Sequence, residues 1–273
     1  MSGIDSRSAA FLQEMGITPL WSLRGNGQEQ EAGQTIDAEE SPVPPAGAAP
    51  AQGRAIPAAP AGDSAWGEEP AAPAPSEEQI AAMDWAQLKA AIASCTRCGL
   101  CHGGRKPVYG NGAHSALWLV AAGASTTADE KERQPVAGEA GKLLANMLAA
   151  VALSRESNAY VTNLIKCRPA SANGGERAPT PDEAAACRPY LERELALTGA
   201  GMVLTLGQIA ANALQRKPLQ EPLALSRGQV HQINGVKLVA TLHPGELLRR
   251  GADKALAWAD LCLAKSHDGR GAE

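Results

Sequence analysis

The sequence predicts an α/β fold, a parallel sheet covered by helices on both faces, preceded by a long segment that builds no core. Three observations carry this. Four short β-rich runs recur along the chain: ALWLVAA (116–122), NAYVTNLI (158–165), GMVLTLG (201–207) and VKLVATL (236–242). The first three are each followed by a helical pattern, GKLLANMLAAVAL (141–153), TPDEAAACRPYLERELAL (180–197) and GQIAANALQ (207–215). Parallel neighbours need such crossovers, so strands alternating with helices argue for a parallel sheet. Third, residues 41–76 hold nine of the 19 prolines and almost no aliphatics. Such a stretch buries too little apolar surface to offset chain entropy.

In chain order, residues 1–24 form a short N-terminal segment. Ala9, Phe11, Leu12 and Met15 could share a helix, followed by PLWSL. This segment either docks on the domain or serves, through residues 5–24, as a recognition peptide for a protein partner. Residues 25–77 read as a disordered Pro/Ala-rich linker. The folded domain is expected over residues 78–273. It opens with SEEQIAAMDWAQLKAAIASC, in which Ile80, Met83, Trp85, Leu88 and Ile92 fall near helical spacing after a Ser76 cap. It ends with the helical DKALAWADLCLAKS.

Composition bounds the rest. The chain has 273 residues, 44% apolar and 20% charged, which suits a globular protein. Aromatics are only 3%, with a single Phe, so the core must be built from Ala, Leu, Val and Ile. No run of about 18 apolar residues exists, and the start has neither a basic stretch nor an apolar one. A cytoplasmic monomer without membrane contact is therefore expected, with its six Cys reduced. Residues 1–78 hold 3 Lys/Arg against 12 Asp/Glu, net −9, whereas residues 79–273 hold 22 against 17, net +5. The foldable part is mildly basic, which suits a polyanionic partner as well as an ordinary charged surface.

In open α/β sheets ligands sit beyond the carboxyl ends of the strands. That rule selects GASTTADE after the first run, Asn163 at the second, Gly207 after the third and His243-Pro244 after the fourth. The cysteines add a second feature. Cys95, Cys98 and Cys101 stand as CTRCGLC, and Cys167 and Cys187 flank a Pro/Gly-rich loop. CxxC with two distant thiols fits a zinc site or an iron–sulfur cluster, and spacing alone does not separate these from unligated core thiols. Cys262, on an amphipathic helix, reads as a buried small residue.

The strings CTRCGL, VYGNG, PVAGEAGKLLANML, AYVTNLIKCRP, PTPDEAAACRPYLERELAL, TLG and TLHPGELLRR occur in this order. The series resembles the family 4 uracil-DNA glycosylases, the iron–sulfur members of their superfamily, over roughly residues 79–266. The resemblance implies a three-layer α/β/α domain with a central four-stranded parallel sheet. It implies a DNA-repair hydrolase that flips uracil, or another deaminated base, from DNA and cleaves its N-glycosidic bond. It also implies a [4Fe–4S] cluster on Cys95, Cys98, Cys167 and Cys187, leaving Cys101 spare.

By the same resemblance Asn163 reads the base, its amide matching O4 and N3–H of uracil together. His243 stabilises the departing uracil anion. Leu247 and Leu248 are wedge candidates for the gap left by the flipped nucleotide, and Arg249 and Arg250 candidates for phosphate contacts. Ala122, Gly123, Ala124 and Val136 line the base pocket, and of the two acids that remain, Asp129 and Glu130, Asp129 is the better candidate to hold water. The chain departs from the family in three places. Its first motif reads AAGASTTADE where GEAPG-x-x-E-D is usual, so Ala122 and Ala124 stand for Glu and Pro. Val136 replaces the Phe that would stack on uracil, a contact worth about 1–3 kcal/mol. The interval from Cys167 to Cys187 is longer, through SANGGE. A second reading of a different class is a catalytically degenerate iron–sulfur DNA-binding or scaffold protein of the same fold.

Overall fold

The computed structural model describes residues 74–101 and 106–269. The expected N-terminal segment, most of the linker and the side chain of Cys101 lie outside the described residues.

The sheet has the order β1-β3-β2-β4-β6-β5. Its centre is the four runs read from the sequence: β2 (Trp118–Ala124), β3 (Ala159–Ile165), β4 (Met202–Leu206) and β6 (Val236–Thr241), all parallel. Two antiparallel edge strands enlarge it, β1 (Asn111–Gly112) against β3 and β5 (Val230–Ile233) against β6. The β5–β6 hairpin turns on Asn234 and Gly235, both at positive φ (48° and 81°), as a two-residue turn matched to strand twist requires.

Alternate residues of the parallel strands face opposite helix layers. Trp118, Val120, Ala122, Val161, Leu204 and Leu206 pack with α4 (Gly138–Ala149), α7 (Pro244–Arg249) and α8 (Lys254–His267). Leu119, Ala121, Leu164, Val203 and Leu238 pack with α5 (Pro181–Thr198) and α6 (Gln208–Leu214). The result is the three-layer α/β/α arrangement, filled as composition requires by aliphatics, with Trp118 the largest fully buried side chain.

Two sequence expectations are corrected. The first helical run is two helices, α1 (Glu77–Ala82) and α2 (Trp85–Ala93), because Asp84 starts a second capping box with Gln87. Cys262 is exposed rather than buried. Helix α8 buries Ala257, Asp260, Leu261 and Ala264, and Cys262 falls one residue off that stripe. Among the described residues no helix is long and apolar enough to cross a membrane.

Candidate functional site

The four parallel strands deliver their C-terminal ends to one edge, and one register row crosses the sheet as Asn163–Ala122–Leu206–Thr241. Past that row lies a cleft of about 500 Å³. Gly123 and Ala124 line it from β2, Gly207 and Gln208 from the β4–α6 turn, and His243, Glu246 and Arg249 from β6–α7. Gly207 sits at φ 82°, and a Cβ there would lie 3.3 Å from the His243 Cβ. Glycine therefore lets the turn hold its left-handed bend beside the histidine.

His243 caps α7. Its Nδ1 accepts a hydrogen bond from the Gly245 N–H at 3.1 Å. That bond leaves Nδ1 without a proton, so the neutral ring carries its hydrogen on Nε2. Burial lowers the imidazole pKa, with Arg249 adding to the effect against the opposing charges of Glu246 and Asp129. Near neutral pH the ring is an uncharged Nε2–H donor on the wall of the cleft.

Behind the cleft stands a buried polar cluster. The segment Thr126–Glu132 satisfies a capping box, and helix α3 (Thr127–Glu132) forms with Asp129 at its third position. Asp129 Oδ2 accepts from Thr126 N at 3.1 Å and from Asn163 Nδ2 at 2.9 Å, while Oδ1 accepts from Ala137 N at 2.8 Å. The carboxylate is 2% exposed and spends both oxygens on the protein. The water-holding role expected of Asp129 is corrected accordingly: the geometry makes it a clamp on the Asn163 amide and on the Val136–Ala137 segment.

The Asn163 amide is fixed in one sense. The single Ser125 Oγ hydrogen is shared between the carbonyls of Ile165 and Lys166, so toward Asn163 the hydroxyl can only accept, and Nδ2 donates to it at 3.0 Å. Both Nδ2 hydrogens are thus consumed by Ser125 and Asp129. Oδ1 is buried with no hydrogen-bond partner. The expectation that one amide offers donor and acceptor together changes: the free face is acceptor only.

Val136 is 3% exposed and sits at φ 52°, a conformation a β-branched residue rarely adopts. Three contacts hold it there. Arg155 Nη2 donates to its carbonyl at 3.2 Å, Asp129 holds the next N–H, and Gly141 leaves room where a Cβ would lie 2.4 Å from the Val136 oxygen. Ala122 is a core residue at 1% exposure. Of the sequence-selected pocket residues, Gly123, Ala124 and His243 therefore line the open cleft, while Ala122, Asp129, Val136 and Asn163 lie buried behind it.

On α7, Leu247 is 2% exposed and belongs to the core, so its expected wedge role is corrected; Leu248 is 48% exposed. Arg249 and Arg250 are exposed beside it. Glu130 pairs with Arg168 at 2.6 Å, and Arg168 also donates to the Gly174 carbonyl. Sequence reading missed Glu176. It reaches the same cleft from the SANGGE loop, its Oε1 accepting from Thr127 N (2.8 Å) and Thr127 Oγ1 (3.0 Å). Tyr109 lines a separate cavity with Trp85, His114 and Tyr160.

The cysteines converge from three elements. Cys98, Cys167 and Cys187 pack in one apolar cluster with Leu100 and Leu164, and the Cys98 and Cys187 thiols are within hydrogen-bonding reach. Cys95 lies against the ring of Tyr190. The Cys98 contact and burial push the Cys187 thiol pKa up. Next to them Lys166 and Glu194, both 2% exposed, form an ion pair at 2.6 Å shared with Thr162. Among the described residues no three His, Cys, Asp or Glu close around a single ion.

A family model described as the uracil DNA glycosylase superfamily matches residues 107–262. A type-4 uracil-DNA glycosylase of Archaeoglobus fulgidus is 34% identical over 165 residues, covering 58% of this chain and 80% of that protein. The type-4 uracil-DNA glycosylase of Pyrobaculum aerophilum is 29% identical over 187 residues, 66% of this chain and 93% of its own. That of Thermotoga maritima is 27% identical over 177 residues, 64% and 90% respectively.

Proposed function

This chain belongs to the type-4 uracil-DNA glycosylases of the uracil-DNA glycosylase superfamily, and on that premise we propose that it excises uracil from DNA by hydrolysing the N-glycosidic bond. The observation that carries the proposal is the locked tautomer of His243. When the glycosidic bond breaks, both electrons leave with uracil, and a neutral Nε2–H on the cleft wall stabilises that anion without prior protonation. Asn163 Oδ1, a buried acceptor with no hydrogen-bond partner behind the cleft, takes the base's ring N–H.

An acceptor-only amide widens the specificity in a defined way. Uracil presents N3–H, and hypoxanthine and xanthine present N1–H, whereas cytosine N3 and adenine N1 are acceptors and are repelled. The reading therefore extends to deaminated bases as a class. Thymine (N3–H) and guanine (N1–H) share the ring N–H, so this contact excludes neither. The base must also pass the Val136 wall, whose missing ring forgoes about 1–3 kcal/mol of stacking. Turnover slower than a stacked pocket would give follows.

Three thiols of one apolar cluster, Cys98, Cys167 and Cys187, with the Lys166 ammonium beside them and Cys95 in the adjoining cluster against Tyr190, would be the ligands of a [4Fe–4S] group. Such a cluster supplies an internal cross-link and an electron-transfer centre when bound. The cysteines themselves join the 95–101 turn, the end of β3 and α5, and so brace the loop that carries Arg168 and Glu176. Leu248 fills the gap left by the flipped nucleotide, and Arg249 and Arg250 take phosphates. Residues 78–273 form the working domain, in a cytoplasmic setting that keeps thiols reduced, and residues 5–24 recruit a protein partner through the 25–77 linker.

The test is release of uracil from a single-stranded oligonucleotide under single turnover, with hypoxanthine, xanthine and thymine substrates alongside. Release by the iron-loaded protein that an Asn163→Ala, His243→Ala double variant lacks is the expected result. No release above that variant ends the enzyme reading. The burial of Asn163, Asp129 and Val136 favours a second reading, a binding module of the same fold. Salt-dependent DNA binding with no preference for uracil would be its signature.

A further inference from the structure

We infer that Glu176 is a catalytic carboxylate of this protein, supplied from the 170–176 loop in place of the acid absent from the β2 end. The inference rests on the glycosylase reading above. At the end of β2 the cleft is lined by Gly123 and Ala124, which offer no carboxylate. The two acids that follow are committed elsewhere: Asp129 to Asn163 and Ala137, Glu130 to Arg168. Glu246 lines the cleft from α7, beside the His243 donor, where a negative charge opposes the leaving anion.

The loop that carries Glu176 is built to present it. Ala170 and Glu176 form an antiparallel bridge, and the turn between them is closed by Ser171 N to Gly175 O (2.8 Å) and Gly174 N to Ser171 O (2.9 Å). Arg168 ties the turn to α3 through Glu130 and the Gly174 carbonyl. Arg177, next in sequence, is held by Glu183 on α5. The side chain then reaches across to α3, where Thr127 holds Oε1 by two hydrogen bonds. Among the described residues Oε2 meets no hydrogen-bond partner. One oxygen is an anchor on Thr127, and the residue lines the cleft shared with His243.

The chemistry needs such a group. As the C1′–N1 bond breaks, its electron pair goes to uracil, where His243 Nε2–H donates to the anion. The sugar becomes an oxocarbenium cation, which a nearby carboxylate stabilises. Water then bonds to C1′ through its oxygen, and its proton passes to the carboxylate. That proton ends on the uracil anion through solvent, so the products are free base and the hydroxyl sugar.

Two measurements on the full-length, iron-loaded protein decide this. Glu176→Gln keeps a carbonyl oxygen for Thr127 and removes only the charge. It is expected to slow single-turnover uracil release about tenfold to a hundredfold or more, in the range of other electrostatic groups, with DNA affinity unchanged. The second measurement compares binding to DNA carrying a cationic pyrrolidine abasic site with binding to a neutral tetrahydrofuran site. The wild-type chain should prefer the cation, and Glu176→Gln should lose that preference. A variant with wild-type release rate and wild-type cation preference overturns the assignment. If the wild-type chain releases no uracil, the glycosylase reading fails on its own, and the cation preference alone decides Glu176: its loss in the variant upholds the carboxylate's role, its retention or its absence in both proteins overturns it.

Discussion

The Asn163 amide nitrogen donates to Asp129 Oδ2 at 2.9 Å, and both side chains are at most 2% exposed. The same carboxylate holds the Ala137 N–H, so one residue orients both the Asn163 amide and the Val136–Ala137 segment. Asp129→Asn would set an amide against an amide and leave a buried donor unpaired, at a cost of about 1–3 kcal/mol. Uracil release should fall by more than the stability does, because a turned Asn163 presents the wrong edge. Thermal denaturation and single-turnover release on the same samples separate the two.

His243 predicts a pH dependence of definite sign. Its pKa in the folded chain lies below the ordinary value of 6.5 because burial disfavours the imidazolium. The neutral donor therefore persists as pH falls through 6.5, and activity is lost only as pH drops through the lower folded value. Stability declines earlier, across the window from 6.5 down to that folded value, because there the unfolded chain takes up the proton and the folded chain does not. Titrating the ring by NMR should give a midpoint below 6.5, with no activity limb at 6.5. A midpoint above 6.5 would show that an imidazolium does the work.

Adjacent leucines on α7 should behave oppositely. Leu247 is packed in the main core, so Leu247→Ala costs about 2–5 kcal/mol of stability. Leu248 is half exposed, so Leu248→Ala should change stability by less than about 0.5 kcal/mol. Its effect should appear in DNA binding and base flipping instead, read by fluorescence of a 2-aminopurine next to the uracil.

Beside the cysteines, Lys166→Met would strand the Glu194 carboxylate at 2% exposure. Breaking a buried pair on one side costs about 3–5 kcal/mol, whereas replacing both partners by apolar residues is far milder. Lys166→Met, Glu194→Leu should recover most of the stability lost by Lys166→Met in urea denaturation.

For the cysteines themselves, Cys98→Ala and Cys187→Ala should each lower iron per chain and bleach the broad visible absorption of an iron–sulfur group. Cys262→Ala, on the exposed side of α8, should change neither. Iron content unaltered by the first two variants would point to other ligands.

Much of the architecture was legible in the sequence because its signals are local. The four parallel strands are continuous β-rich runs, and the helices between them keep their period. Two further local signals went unread. Asn234-Gly235 within VHQINGVK marks the β5–β6 hairpin, and Thr126 with Asp129 three residues on marks the start of α3. The expected length of the first helix failed at Asp84, where a cap offers the backbone a better end than continuation.

By itself the sequence determined the sheet and the edge at which ligands are expected, and it singled out Asn163 and His243 at that edge. Those follow from periodicity, from strand ends and from motif order, all carried along the chain. Only the tertiary structure decided what each polar group is free to do. Asp129 and Asn163 are 34 residues apart, and their contact turns one from a water holder into a clamp and the other into an acceptor. Glu176 and Thr127 are 49 apart, and their contact turns an inserted loop into a wall of the cleft. The reason is that a hydrogen-bonding group's chemistry is set by the partners that remain after folding has used the others, and those partners are chosen in space.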